Sequence, residues 1–218
     1  MVKTVVFDVG ETLVNESRRW RLWSEWLMVP DHVLFAVLGA TIERGEHHRR
    51  VFELLHPGFD LETAREERRN AAVPDEFDAS DLYADVPACL HALHQRGLRI
   101  GIAGNQPAGL ERILKDLDLP VDFVASKRSN LEKPSPRFFQ KIVDSSKGVP
   151  NSVAYVGDRI DHDVVPARAA GMIAVFLRRG PWGFLQARRP EAAQAHLRLE
   201  SLRELPGALD ELARSQRD

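Results

Sequence analysis

The chain has 218 residues, 44% of them hydrophobic, enough for one core or for one core with a small satellite unit. Lys and Arg total 30 against 32 Asp and Glu, a balance with no basic footprint for nucleic acid or an anionic membrane. The single cysteine, Cys89, excludes an intrachain disulfide and a cysteine-based zinc cage. Cys89 lies in a helical apolar pattern and reads as a core residue. No apolar run approaches the roughly 20 residues of a membrane span. The N-terminus enters a strand with no basic-then-apolar leader, so a cytoplasmic protein is expected, monomeric or homodimeric.

The first predicted strand is Val5–Phe7, short, β-branched and aromatic, which suits burial on both faces. It ends on Asp8, with Gly10 two residues later. From Asn15 to Leu82 the strand signals vanish and helical ones take over. Trp20, Trp23 and Trp26 recur at helical spacing and read as packing, while Arg18, Arg19 and Arg21 read as a solvated face. Asp31 is the expected N-cap of a helix over Val33–Ile42. Further helices are expected over His48–Leu55 and Asp60–Asn70. His47-His48-Arg49-Arg50 is not a metal motif, because adjacent residues do not share a helix face.

After Asp85 the rhythm becomes helix, strand, helix, strand. A helix runs to about Arg96, and the second strand is Leu98–Ala103. A helix over Pro107–Leu117 and a third strand over Val121–Ala125 follow. Ser135-Pro136 opens a helix that stops before Gly148. Val153–Val156 is the fourth strand, with a helix to Ala170, and Ile173–Leu177 is the fifth. Arg178–Pro190 reads as a Gly/Pro/Arg loop, before a short strand near His196–Leu199 and a helix from about Pro206. Such alternation implies parallel crossovers in a doubly wound sheet.

Asp8, Gly104-Asn105, Lys133-Pro134, and Gly157-Asp158 with Asp163 fall at or just beyond predicted strand ends. In a parallel sheet those ends share one edge, where ligands bind. Several carboxylates and one lysine meeting there suit a divalent cation and a phosphate. The plain alternative is that each carboxylate caps a helix and Lys133 is a solvated loop residue.

The order and spacing of Phe7-Asp8-Val9-Gly10-Glu11-Thr12-Leu13, Glu132-Lys133-Pro134-Ser135-Pro136, and Val156-Gly157-Asp158 through Asp163 to Gly171 resemble the haloacid dehalogenase-like hydrolase superfamily, in its branch with a helical cap inserted after the first motif. The resemblance implies a Rossmann-like α/β core, residues 1–14 and 83–218, and a small α-helical cap, residues 15–82. It implies a Mg²⁺-dependent phosphatase acting on a small phosphorylated metabolite through an aspartyl-phosphate. Asp8 would be the nucleophile. Asp8, Asp158 and the Gly10 carbonyl would bind Mg²⁺, with Asp163 supporting the ion directly or through water. Lys133 would pair with Asp8 and the phosphate, Thr12 would shape the phosphate-binding turn, and the Gly104 and Asn105 N–H groups would form an anion nest.

Two departures stand out. Phosphatases of that family usually carry an aspartate at the Gly10 position, where its side chain serves as general acid and base. They also carry Ser or Thr at the Gly104 position. Gly104 would let a larger substrate group approach. Glu11 is one position off and is expected to point elsewhere. The expectation is therefore a phosphatase with an atypical site, acting slowly on ordinary phosphomonoesters. The alternatives are a catalytically weak ligand-binding or regulatory module of the same fold and a dehalogenase, the latter disfavoured by the metal pattern of Asp158 and Asp163. A phosphonate hydrolase would need a cap lysine for its Schiff base, and residues 15–82 contain none.

Overall fold

The computed structural model describes residues 1–104, 113, 115–125 and 132–215. Asn105 and most of the helix expected over Pro107–Leu117 lie outside them. The chain divides into two compact units, one formed by Met1–Asn15 with Asp78–Asp218 and the other by Glu16–Phe77. Among the described residues no single helix is long and apolar enough to cross a membrane.

The first unit is built on a six-stranded sheet, all of whose pairings are parallel. Its strands are β1 (Thr4–Phe7), β2 (Arg99–Ala103), β3 (Phe123–Ala125), β4 (Val153–Gly157), β5 (Ile173–Leu177) and β6 (Leu197–Leu199). Their spatial order is β3-β2-β1-β4-β5-β6, so the winding direction reverses between β1 and β4. In open α/β sheets that reversal opens a crevice at the carboxyl ends of the strands. Val5, Val6 and Phe7 are completely buried, each contributing about 1.5–3 kcal/mol of hydrophobic stabilisation. One face of the sheet presents Val6, Tyr155, Ala174 and Phe176 to Phe138, Phe139 and Ile142 of a helix over Pro136–Ser146. Helix Val86–Gln95 lies against β2.

Three sequence expectations need correction here. The third strand loses Val121 and Asp122: the Asp122 N–H donates to the Ile100 carbonyl at 2.8 Å, but it is the Asp122 carboxylate rather than a backbone carbonyl that accepts the Ile100 N–H, at 2.7 Å. Within Arg178–Pro190, Gly180–Gln186 is helical, with Pro181 in the first turn where its missing N–H costs nothing. Between Asp158 and helix Val165–Ala169 the chain forms a π-helical turn, Ile160–Val164, instead of starting an α-helix directly.

The second unit holds helices Ser17–Trp26, Asp31–Glu43, Arg50–Leu55 and Leu61–Asn70. Trp20 and Trp23 are buried, and Trp23 packs edge-on against Phe52 at 4.7 Å, so the aromatic stripe is packing there. Asp31 is the first helical residue rather than the cap; its carboxylate accepts from Ser24 Oγ. Among the described residues Arg68 is the largest fully buried side chain, its guanidinium 4.0 Å above the Trp23 ring, donating to the Leu22 carbonyl at 2.7 Å. Arg19 pairs with Asp75 at 3.2 Å and Arg21 with Asp31 at 3.6 Å, so these arginines join the unit to itself.

A buried ion pair ties the first unit together. Asp85, just before helix Val86–Gln95, accepts through Oδ2 from Arg179 Nη2, from Ser201 Oγ at 2.7 Å and from the Leu202 N–H at 3.0 Å. Burial alone would raise the Asp85 carboxyl, but these donors hold it below its ordinary value. A depressed native pKa adds stability above the unfolded value of about 4, and that stability is lost as pH falls through the native value. Asp85→Ala would leave the Arg179 guanidinium, 10% exposed, without its carboxylate partner. It is expected to lower unfolding free energy by about 3–5 kcal/mol, measurable as a fall in the urea midpoint, with the deficit narrowing at acid pH.

Candidate active site

Asp8 leaves β1 at the reversal point, and its N–H still donates to the Val156 carbonyl of β4 at 2.8 Å. The chain then folds tightly: the Val9 carbonyl accepts from the Leu13 N–H at 2.8 Å and the Val14 N–H at 3.0 Å, and Glu11 N–H donates to the Val14 carbonyl at 2.7 Å. That pattern makes a bridge between Gly10 and Val14 without drawing on the Gly10 carbonyl. Glu11 sits at φ 53°, a left-handed conformation that non-glycine residues rarely adopt.

Lys133 comes from the segment before helix Pro136–Ser146, and its peptide to Pro134 is cis. Its Nζ lies 2.6 Å from Asp8 Oδ1 and 2.6 Å from Asp163 Oδ1, all three side chains being buried. Asp163 Oδ2 accepts from the Arg159 N–H at 3.0 Å, so both of its oxygens are engaged. Asp158 is 1% exposed, and its Oδ2 has no hydrogen-bond partner among the described residues. Ligand oxygens of Asp8, Asp158 and Asp163 all lie within 4.8 Å of one another. The π-helical turn makes this possible: the Val164 N–H reaches back to the Arg159 carbonyl at 3.1 Å, and the wider turn swings Asp163 under Asp158.

Two glycines let the carboxylates sit where they do. A Cβ on Gly157 would lie 2.3 Å from Asp163 Cγ. A Cβ on Gly104 would lie 2.9 Å from Asp8 Oδ1 and 3.0 Å from Val9 Cγ2, so the space beside Gly104 belongs to the Asp8 carboxylate. The floor is Tyr155, whose hydroxyl donates to the Ala103 carbonyl at 2.8 Å beneath Lys133.

The electrostatics follow from burial. Loss of water pushes the Asp8 carboxyl up to about 6, against the downward pull of Lys133. Burial, then the charges of Asp163 and Asp8, raises Asp158 well above the carboxylate range. Burial would lower Lys133, but Asp163 and Asp8 outweigh it and hold it well above the lysine range. Three carboxylates around one ammonium leave two negative charges with no protein counter-charge in the cluster, a costly state unless protons or a cation supply the balance. An orphaned buried oxygen beside two more carboxylates suits a hard divalent cation.

The structure thus brings together Asp8, Lys133, Asp158 and Asp163, with Gly10 and Gly104 beside Asp8. Thr12 is fully buried; its carbonyl accepts from Arg179 Nη1 at 3.0 Å, while its Oγ1 has no partner among the described residues. Asn105 is not among the described residues. His162 sits 3.8 Å from Asp161, burial pulling it down to about 4.

Sequence reasoning missed a second network. Tyr83 donates its hydroxyl to Glu11 Oε2 at 2.5 Å, and the Arg179 guanidinium stacks 4.1 Å from the Tyr83 ring. Gly180, at φ 62°, approaches so closely that a Cβ there would lie 2.6 Å from Glu11 Cβ. Only Arg179, two residues beyond β5, carried a signal, its place at the ligand-binding edge.

A family model described as haloacid dehalogenase-like hydrolase matches residues 2–171. The glyceraldehyde 3-phosphate phosphatase of Methanopyrus kandleri is 30% identical over 234 aligned residues, covering 98% of this chain and 100% of that protein. Among solved structures, β-phosphoglucomutase from Clostridium difficile is similar at a TM-score of 0.65 and 16% identity, over 98% of this chain and 99% of that one. A 2-haloacid dehalogenase from Pseudomonas syringae pv. Tomato is similar at 0.57 and 20% identity, over 97% and 100%. These two likenesses speak to the fold, which different chemistries share.

Added Mg²⁺ is expected to raise the melting temperature through preferential binding to the native state. Asp158→Asn is expected to stabilise the metal-free protein by removing an acid whose ionised form burial and then the neighbouring carboxylates disfavour, and to abolish the Mg²⁺ response. Gly157→Ala, which displaces Asp163, is expected to weaken that response. Thermal melts with and without chelator measure all three.

Proposed function

Since the chain belongs to the haloacid dehalogenase-like hydrolase family, we propose that this hydrolase is a Mg²⁺-dependent phosphatase of small phosphorylated metabolites, with Asp8 as its nucleophile. The observation that carries the reading is the Lys133 ammonium shared by Asp8 and Asp163 beside the orphaned Asp158 oxygen. The relative named for glyceraldehyde 3-phosphate supports a phosphorylated metabolite as substrate. Asp8, Asp158 and the Gly10 carbonyl would hold the ion, with Asp163 behind them. When bound it supplies charge neutralisation and a Lewis acid for phosphoryl oxygens.

The residues of the chain divide the remaining work. Lys133 orients the Asp8 carboxylate and offers positive charge to the incoming phosphoryl group. Asp163 holds Lys133 in place and takes its own orientation from the Arg159 N–H. Gly104 leaves room for the Asp8 carboxylate. Asp8 attacks phosphorus and forms an aspartyl-phosphate, which water then cleaves. The helical unit Glu16–Phe77 is assigned the part of a cap that selects substrate and excludes water.

Purified protein with Mg²⁺ is expected to release phosphate from a metabolite panel that includes glyceraldehyde 3-phosphate. Release should stop with chelator and in Asp8→Asn, and stay well below about 10 s⁻¹, an ordinary enzyme value. Release that survives Asp8→Asn would refute the assignment of the nucleophile.

A further inference from the structure

Transfer of a phosphoryl group from an alkyl ester needs a proton for the departing oxygen, and hydrolysis of the aspartyl-phosphate needs a group to take a proton from water. None of the described acidic or basic side chains that meet at Asp8 stands ready for either task. Gly10 and Gly104 have no side chain. The Lys133 Nζ is shared by two carboxylates at 2.6 Å each. Asp163 accepts through both oxygens, and Asp158 is committed to the cation under the reading above. Glu11 is the remaining carboxylate of the turn. Its Oε2 accepts the Tyr83 hydroxyl at 2.5 Å, and its stem is packed against the Gly180 backbone. Tyr83 is locked in turn by its N–H to the Leu13 carbonyl at 3.0 Å and by the Arg179 guanidinium over its ring.

We infer that the preferred phosphoryl donor is an acyl phosphate, and that the phosphoryl group then stays on Asp8 long enough to accumulate. The inference rests on Asp8 being the nucleophile, as proposed above. In the first step an Asp8 oxygen bonds to phosphorus while the bond from phosphorus to the acyl oxygen breaks. The electron pair leaves on a carboxylate, whose conjugate acid has a pKa of about 4 and which therefore needs no proton at neutral pH. An alkoxide leaving group has no such escape. In the second step a water oxygen bonds to phosphorus while the bond from phosphorus to the Asp8 oxygen breaks, its electron pair returning to the Asp8 carboxylate, and the water must lose a proton as it attacks. With no base placed among the described side chains that meet at Asp8, that step becomes the slow one, whatever the donor.

The test is intact-mass spectrometry of the full chain with Mg²⁺ and either acetyl phosphate or glycerol 3-phosphate, alongside phosphate release. Acetyl phosphate is expected to add one phosphoryl group, absent in Asp8→Asn and removed by hydroxylamine; glycerol 3-phosphate is expected to add none. Gly10→Asp should shorten the life of the adduct by about 10²–10⁴-fold, the usual size of acid–base help. Glycerol 3-phosphate turned over as fast as acetyl phosphate, or an adduct from both, would overturn the donor preference. Rapid acetyl phosphate hydrolysis without an adduct would overturn the long life, leaving the phosphatase reading intact. Neither adduct nor phosphate release from any donor, including the metabolite panel, would overturn both readings.

Discussion

The structure turns on one ammonium group held between two buried carboxylates. Lys133 meets Asp8 and Asp163 at equal distances of 2.6 Å, away from water. Ionising even one of these acids would be costly in isolation; together with Asp158 they would repel. Lys133 compensates part of that charge and leaves the rest outstanding. A fold optimised for stability alone would replace the cluster with apolar side chains. The imbalance is of the kind that a cation from solution would offset.

Holding such a cluster depends on the sheet. β1 and β4 are neighbours at the winding reversal, so the residues that follow them, Asp8 and Asp158, emerge side by side. Two glycines keep the space between the acids clear, and a π-turn supplies the extra residue that brings Asp163 in beneath. The neighbouring turn is held just as firmly: Glu11 is kept in a left-handed conformation by Tyr83, Arg179 and the close backbone of Gly180. Such strain persists only where surroundings over-determine it.

Much of this was legible from the chain. The apolar run Val5–Phe7 announces a strand buried on both faces, and the alternation after Asp85 announces parallel crossovers. A strand ending on Asp8 points to the ligand-binding edge. What the sequence hid were meetings of residues with no local pattern. Nothing in Tyr83-Ala84-Asp85 foretells that one side chain reaches Glu11 while the other receives Arg179. The glycines at 104 and 157 look like turn residues, yet their use is to make room for carboxylates from elsewhere. Gly180–Gln186 hides its helix behind Gly and Pro, residues tolerated in a first turn.

The sheet's pairing pattern also bears on how the molecule comes into being. A central strand of the sheet precedes all its other strands in the chain, yet Phe7 finds its partners only at Ile102 and Val156. Until Arg99–Ala103 is made that greasy segment has no mate, and its early attachment to a wrong partner is the hazard of so long-range a topology. The Asp8 carboxylate carried at its tip thus gains its surroundings only after Lys133 and Val156 have been made.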